Sequence, residues 1–152
     1  MAEVTVSAWR DGFRGVIPPQ FAPDRVQAAE NLARRVRDDP GSTAVGELDG
    51  RACGYAVFGP SRDVDTGEPT GEIYALHVDP RSWRRGVGRA MVEYVLERLR
   101  ERGFVVATLW TLRDTPRSHA FYEALGFELD GATHRRQMTG GAPEVRYRIA
   151  LR

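Results

Sequence analysis

The sequence predicts a mixed α/β fold in a single domain, because a strand–helix–strand unit, a β-hairpin and further helical segments share 152 residues. The central unit begins with the apolar run Glu72–Val78 and continues with a helical pattern from about Gly88 to Arg102. Gly103 ends that helix, and a second apolar run, Phe104–Thr111, follows it. This order predicts a β-α-β unit. A chain of this length can build a core without disulfides.

Three further segments have helical periodicity. Apolar residues recur at helical spacing in Val4–Arg14 and in Asp24–Asp38. Pro116, a residue favoured in the first turn of a helix, opens a third segment that runs to Leu125. With the central helix this gives about four helices. The stripe predicted to be buried in the central helix is Met91, Tyr94, Val95 and Leu99, and the apolar stripe of Asp24–Asp38 is Val26, Ala29, Leu32, Ala33 and Val36.

Strand signals surround the central unit. Two β-like runs, Thr43–Leu48 and Arg51–Phe58, are joined by Asp49-Gly50, and an Asp-Gly pair in that position is a strong hairpin signal. The Asp, Gly, Thr and Pro residues of Pro60–Thr70 predict a surface loop. The alternation in Glu144–Leu151 predicts a last strand.

The composition excludes several classes of protein. The net charge is +1 with 28% charged residues, which argues against a nucleic-acid partner, and no apolar stretch approaches the roughly 18 residues of a membrane span. Cys53 is the single cysteine, so no internal disulfide forms and a reducing cytoplasm is expected. The three histidines are far apart and form no H-E-x-x-H motif, so no metal site is expected.

The segment Trp83–Arg89 is the strongest functional signal. It joins a predicted strand to a predicted helix, and a helix N-terminus presents free N–H groups to an anion. Glycines let a phosphate approach the backbone, although the same glycines are also compatible with a plain tight turn. No Gly-Lys-Ser/Thr follows, and Met91 stands where a dinucleotide-binding motif needs its last glycine. Those two phosphate-binding motifs are therefore excluded.

Two motifs carry a resemblance to a known family. The run Leu76–Met91 resembles motif A of the GNAT superfamily of N-acetyltransferases, and Ala120–Phe127 is similar to the family's A-x-x-F-Y-x-x-x-G-F segment. The resemblance implies a mixed, mostly antiparallel sheet that splays between its two central strands. Only Met1–Glu3 precede the first predicted helix, so the family's first strand is expected to be missing or supplied by another chain. An open edge would favour a homodimer.

The resemblance also implies the cofactor, acetyl-CoA, and the residues that hold it. The backbone of the first central strand would pair with the pantetheine arm, and the glycine-arginine turn would bind the pyrophosphate. Trp83 replaces the usual Arg or Gln, and Thr115 replaces a frequent Asn beside the pantetheine. The implied cofactor-binding residues are Leu76, His77, Val78, Arg84, Arg85, Gly86, Val87, Gly88, Arg89, Thr115 and Tyr122.

By the same resemblance, three residues are expected to carry the chemistry. The backbone N–H of Leu76 would hold the tetrahedral oxyanion, and Tyr122 would protonate the departing thiolate. Glu72 stands six residues before Val78 and is the candidate base, or else a surface residue at the strand end. His77 is an alternative base.

The acceptor would be a primary amine of a small molecule or a protein. A non-catalytic acyl-CoA-binding or regulatory module of the same fold stands as the alternative function, favoured by the two departures at Trp83 and Thr115.

Overall fold

A computed structural model describes Gln20 and residues 25–152. The helix predicted over Val4–Arg14 lies outside these residues, and so does the segment that bears on the expected absence of the family's first strand. Within this part there are three α-helices, α1 Arg25–Asp38, α2 Val87–Glu101 and α3 Pro116–Ala124. Six strands accompany them: β1 Thr43–Leu48, β2 Arg51–Pro60, β3 Thr70–Val78, β4 Val106–Leu112, β5 Glu128–Arg135 and β6 Pro143–Ala150. Short 3-10 turns cover Pro40–Ser42, Pro80–Ser82 and Gln137–Thr139.

The six strands form one sheet in the order β1-β2-β3-β4-β6-β5. β3 and β4 are parallel and every other neighbouring pair is antiparallel, so the sheet is mixed and mostly antiparallel, as the family resemblance implies. The parallel pairing begins at Thr70 with Val106 and ends at Ile73 with Leu109. Beyond that point the two strands no longer pair with each other, although each still pairs with its outer neighbour, so the sheet opens into a wedge between them.

The hairpin between β1 and β2 forms at the predicted turn. Asp49 and Gly50 both have positive φ, 52° and 73°. A two-residue turn with both φ values positive matches the right-handed twist of the strands. Asp-Gly pairs adopt such values readily, which is why this pair predicts the hairpin.

The main core lies between the sheet and the helices α2 and α3. It contains Phe58 and Ile73 of the central strands, Leu99 of α2 and Tyr147 of β6, each almost without solvent exposure. At Gly71 a Cβ atom would lie 2.6 Å from a methyl carbon of Leu99, so only glycine lets α2 approach β3 this closely.

A bulge in β3 changes which side chains face this core. Val57 pairs with Ala75 and Phe58 pairs with Ile73, which leaves Tyr74 as the extra residue. Tyr74 and Ala75 consequently both face the opposite side of the sheet, where they pack with Leu32 of α1. The bulge therefore lies at the point where the wedge opens.

The structure corrects two expectations about packing and adds one strand that was not predicted. Tyr94 was expected in the buried stripe of α2 but is 53% exposed, and Val92 is buried in its place. The predicted stripe of α1 is mostly exposed, with Val26 at 65%. The strand β5 was not predicted, because its side chains are mostly exposed and the sequence there lacks apolar alternation.

Candidate functional site

The wedge exposes backbone groups of β3 on the side that faces β4. The N–H of Asp79 donates to the carbonyl of Cys53 in β2 at 2.7 Å. Because N–H groups alternate in direction along a strand, those of Leu76 and Val78 are directed away from β2, toward the wedge. Past Ile73 no strand pairing with β4 uses these groups. An extended ligand could form hydrogen bonds there as an added strand would.

The N-terminus of α2 lies directly after this strand. Arg84 and Gly86 both have left-handed backbone conformations, with φ of 61° and 84°. The first N–H bonded back to this turn is that of Ala90, which donates to the carbonyl of Gly86 at 3.0 Å. The N–H groups of the first helical turn, Val87–Arg89, therefore have no acceptor within the helix. No atom of the described residues lies within 4 Å of a Cβ built on Gly86, so among them an anion has room to approach.

Three arginines surround this helix end. Arg85 forms a long contact of 3.5 Å with the exposed carboxylate of Asp49. Arg89 pairs with Glu93 one turn along α2 at 2.9 Å. Arg84 is exposed and forms no ion pair within the described residues. Exposed pairs of this kind contribute about 0–1 kcal/mol, so these guanidinium groups could turn to a phosphate at little cost.

Trp83 forms a hydrogen bond with the last residue of β3. Its indole Nε1–H donates to the carbonyl of Val78 at 3.0 Å, and the guanidinium of Arg117 lies 4.2 Å from its ring centroid. The residue that departs from the family pattern therefore bonds the last carbonyl of the strand and brings a further cation near the turn.

Tyr122 lies on α3, on the same face of the sheet as α2. Its ring packs against Phe127 and Tyr147 with centroid distances of 5.8 and 6.0 Å. Burial raises the pKa of the Tyr122 phenol above its usual value of about 10, so the hydroxyl stays protonated at neutral pH. Thr115, the N-cap residue of α3, donates its hydroxyl to the carbonyl of Leu112 at 2.8 Å.

A partly buried chain of polar contacts supports α3. Nδ1 of His119 lies 2.6 Å from the hydroxyl of Tyr147, which donates to Glu123 at 2.8 Å. Nε2 of His119 lies 3.2 Å from the carbonyl of Leu112. His119 thereby connects α3 to the end of β4 and to the middle of β6. No sequence pattern predicts this contact, because the partners are up to 28 residues apart.

Glu72 lies on the opposite face of the sheet from Tyr122. It is a buried residue, 2% exposed, and not a surface residue at the strand end. One carboxylate oxygen accepts the backbone N–H of Arg62 at 2.9 Å, and the other accepts the guanidinium of Arg62 at 2.7 Å. Although burial lowers the pKa of Arg62, the hydrogen bond and charge of Glu72 outweigh it and raise that pKa overall.

His77 shares this second face, and its ring lies 5.2 Å from that of Tyr55. Desolvation lowers the pKa of His77 to about 4, so the ring is neutral at pH 7. The sheet thus separates two groups of predicted residues. Leu76, the turn, Thr115 and Tyr122 lie toward α2 and α3, whereas the side chains of Glu72 and His77 lie toward α1.

A charge cluster that the sequence did not predict extends this second face. Arg146 of β6 bonds three carboxylates, those of Asp63 at 3.0 Å, Asp65 at 2.8 Å and Asp130 at 2.6 Å. The indole Nε1–H of Trp110 also donates to Asp63, at 3.0 Å. Arg146 thereby fixes the loop between β2 and β3 to the far side of the sheet.

Among the described residues, no group of three His, Cys, Asp or Glu residues is arranged to hold a metal ion. No helix in the same part of the chain is long and apolar enough to cross a membrane.

Comparison with known proteins assigns the class. The profile of the acetyltransferase (GNAT) family matches residues 5–127, which is most of the chain. The chain belongs to this family, and its class is that of the acyltransferases. The match includes the wedge, the turn at Trp83–Arg89 and the helix that carries Tyr122.

Individual relatives agree with the family. The uncharacterized N-acetyltransferase YuaI of Bacillus subtilis (strain 168) is 29% identical over 124 residues, 82% of this chain and 70% of that protein. The mycothiol acetyltransferase of Sanguibacter keddieii is 38% identical over 101 residues, 64% of this chain, so the match spans only 32% of that relative's length.

A solved structure gives the same fold. The PaiA N-acetyltransferase of Thermoplasma acidophilum in complex with coenzyme A superposes with a TM-score of 0.69 at 13% identity, covering 95% of this chain and 88% of that one. At this identity the likeness establishes the shared fold.

Proposed function

We propose that this chain, as a single N-acetyltransferase domain, moves an acetyl group from acetyl-CoA to a primary amine by direct attack within a ternary complex. One observation carries the proposal. The pairing of β3 with β4 stops at Ile73, and the free backbone beyond it leads to the open N-terminus of α2. A thioester with a long amide-bearing arm and a pyrophosphate fits that combination.

The proposed cofactor position uses backbone more than side chains. The pyrophosphate lies on the N–H groups of Gly86–Arg89, with Arg84 and Arg85 beside it. The pantetheine arm lies along Leu76–Val78, and its far side passes the hydroxyl of Thr115. The coenzyme A in the similar PaiA structure supports a cofactor of this chemistry.

The proposed reaction needs no covalent enzyme intermediate. The neutral amine nitrogen bonds the thioester carbonyl carbon, and the oxyanion that forms accepts the N–H of Leu76, a contribution of about 3–4 kcal/mol in other acyl transfers. The carbon–sulfur bond then breaks, and the thiolate takes the phenolic proton of Tyr122. The raised pKa keeps the phenol protonated until the thiolate forms. The acylated nitrogen then releases its extra proton to water, and the tyrosinate takes a proton back from water, so the protons balance.

The acceptor must also lose a proton. An alkyl amine with a pKa of about 10.4 is only about 0.04% neutral at pH 7, so a base has to assist. Glu72 is the proposed base, and it can act directly or through water once the guanidinium of Arg62 leaves its carboxylate. His77 is the weaker candidate, because its pKa of about 4 makes it a poor proton acceptor.

A two-part measurement tests the proposal. The purified chain is titrated with CoA by calorimetry, and CoA release from acetyl-CoA is then followed across a panel of primary amines. We expect saturable binding and amine-dependent release. Binding without release across the whole panel would instead favour the non-catalytic acyl-CoA-binding module. The cytoplasmic location and the homodimer stay predictions, to be checked by fractionation and by light scattering.

A further inference from the structure

We propose that Arg62 is an internal competitor of the acceptor, because its guanidinium occupies a cation subsite made by the carboxylate of Glu72 and the ring of Tyr74. The acceptor this subsite selects is an amine that arrives as an ammonium ion. The inference rests on the proposed function, since it assigns the substrate class of the same site.

The subsite is defined by two contacts of one side chain. Nη2 of Arg62 lies 2.7 Å from Oε1 of Glu72, and Cζ of Arg62 lies 4.2 Å from the ring centroid of Tyr74. A buried carboxylate beside an aromatic face favours a cation by both charge and the ring quadrupole. The hydroxyl of Tyr74 donates to the carbonyl of Pro60, which fixes the ring in place.

The buried carboxylate requires a positive partner. Glu72 is almost without solvent exposure, and a buried carboxylate that loses its partner is strongly destabilised. Within the described residues, the Arg62 guanidinium is the one cation paired with it. A substrate ammonium can replace that guanidinium and keep the charge balanced, whereas a neutral acceptor cannot. The subsite therefore discriminates by charge.

Arg62 can leave without unfolding its loop. Its side chain is 50% exposed, and its backbone N–H holds Oε2 of Glu72 independently of the guanidinium, so Oε1 is the oxygen that becomes free. The loop has separate anchors on the sheet, from Asp63 to Trp110 and from Glu68 to Arg148. Tyr74 also lines a groove of about 510 Å³ beside α1, which gives room on the same side for the rest of an acceptor.

Steady-state kinetics with n-butylamine as the acceptor tests the competition. If Arg62 leaves the carboxylate free about a tenth of the time, Arg62→Met should lower the KM for the amine about tenfold. The reason is that an internal competitor reduces the apparent affinity in proportion to the fraction of molecules whose site is free. Arg62→Lys should give a smaller fall. The matched control is Arg148→Met, which removes the exposed loop contact to Glu68 and should leave KM unchanged. An unchanged or higher KM in Arg62→Met, or an equal fall in the control, would overturn the proposal.

A second measurement does not depend on turnover. Without acetyl-CoA, Arg62→Met should melt below the wild type, and millimolar n-butylammonium chloride should restore its Tm while n-butanol should not. The double variant Arg62→Met, Glu72→Gln should lose this rescue. Rescue by both compounds or by neither would overturn the cation subsite. Rescue without any acetyl transfer would keep the subsite and defeat the proposed enzyme function, so the two failures are distinguishable.

Discussion

The two faces of the sheet are built by different means. On the α2 side, the proposed cofactor site consists of the backbone of Leu76–Val78 and a turn only a few residues further along the chain. On the α1 side, the proposed acceptor site consists of side-chain charges, and Arg146 reaches Asp63 and Asp65 across 83 and 81 residues. In the proposed arrangement, cofactor recognition would depend on local backbone geometry, and acceptor recognition would depend on long-range ion pairs.

The two kinds of site should respond differently to mutation. A backbone site binds any ligand of the right shape and changes little with side-chain substitution. A side-chain site can be changed one residue at a time, so it is where acceptor preference would be set. The following variants test whether the two faces are separable in this way.

Loss of the Arg146 cluster should have the largest effect on stability. Arg146→Met leaves three carboxylates around an unpaired position where the arginine side chain was 9% exposed, so unfolding should become easier by about 3–5 kcal/mol. Arg148→Met, whose pair with Glu68 is about half exposed, should cost about 0–1 kcal/mol. Urea denaturation of both variants measures the difference, and equal losses would contradict the role of the cluster.

Tyr122→Phe should affect turnover and not binding. Removal of the proposed general acid should lower kcat about a hundredfold, near the lower limit for this kind of catalysis, while the Kd for CoA stays unchanged. Stopped-flow turnover and calorimetry report the two quantities separately. Full activity in this variant would remove Tyr122 from the mechanism.

His77 should make the α1 face sensitive to acid. Its pKa of about 4 lies below the unfolded value of 6.5, so between these values the unfolded chain binds a proton that the folded chain does not. Stability should therefore fall as the pH drops from 6.5 toward 4, by on the order of 2 kcal/mol. In His77→Gln that part of the loss should disappear, while the difference between the two proteins stays constant from pH 7 to 8. A constant difference across the whole range would contradict this assignment.

Two tryptophan variants give the smallest and most selective comparison. Trp83→Phe loses the bond to the carbonyl of Val78, and Trp110→Phe loses the bond to Asp63. Each should cost about 1 kcal/mol of stability. Titration with CoA should detect Trp83→Phe alone, and the KM for the amine should detect Trp110→Phe alone. Reversed effects would show that the faces are assigned the wrong way round.

The turns and helix ends of the proposed cofactor face were predictable because their signals are local. Asp49-Gly50, Gly86 and Pro116 each constrain a turn or a helix end within a few residues, and the elements they bound agree with the sequence to within a few positions. The splayed sheet followed from the family resemblance and not from the residues alone.

The acceptor face was not predictable for the opposite reason. Nothing near Arg146 in the sequence indicates Asp63, and nothing near Glu72 indicates that the loop would return to cover it. The strand β5 lacked apolar alternation because it is an edge strand with mostly exposed side chains. The prediction that Tyr94 is buried was wrong, because an apolar stripe on a helix does not show how far the neighbouring element extends along it.

Backbone amide NMR during a CoA titration tests the central claim most directly, since the claim concerns N–H groups. The largest chemical-shift changes are predicted at Leu76 and Val78 and at Gly86–Arg89, with small changes at Glu72 and Arg146. Changes concentrated on the α1 face, with the turn and the wedge unaffected, would contradict the account.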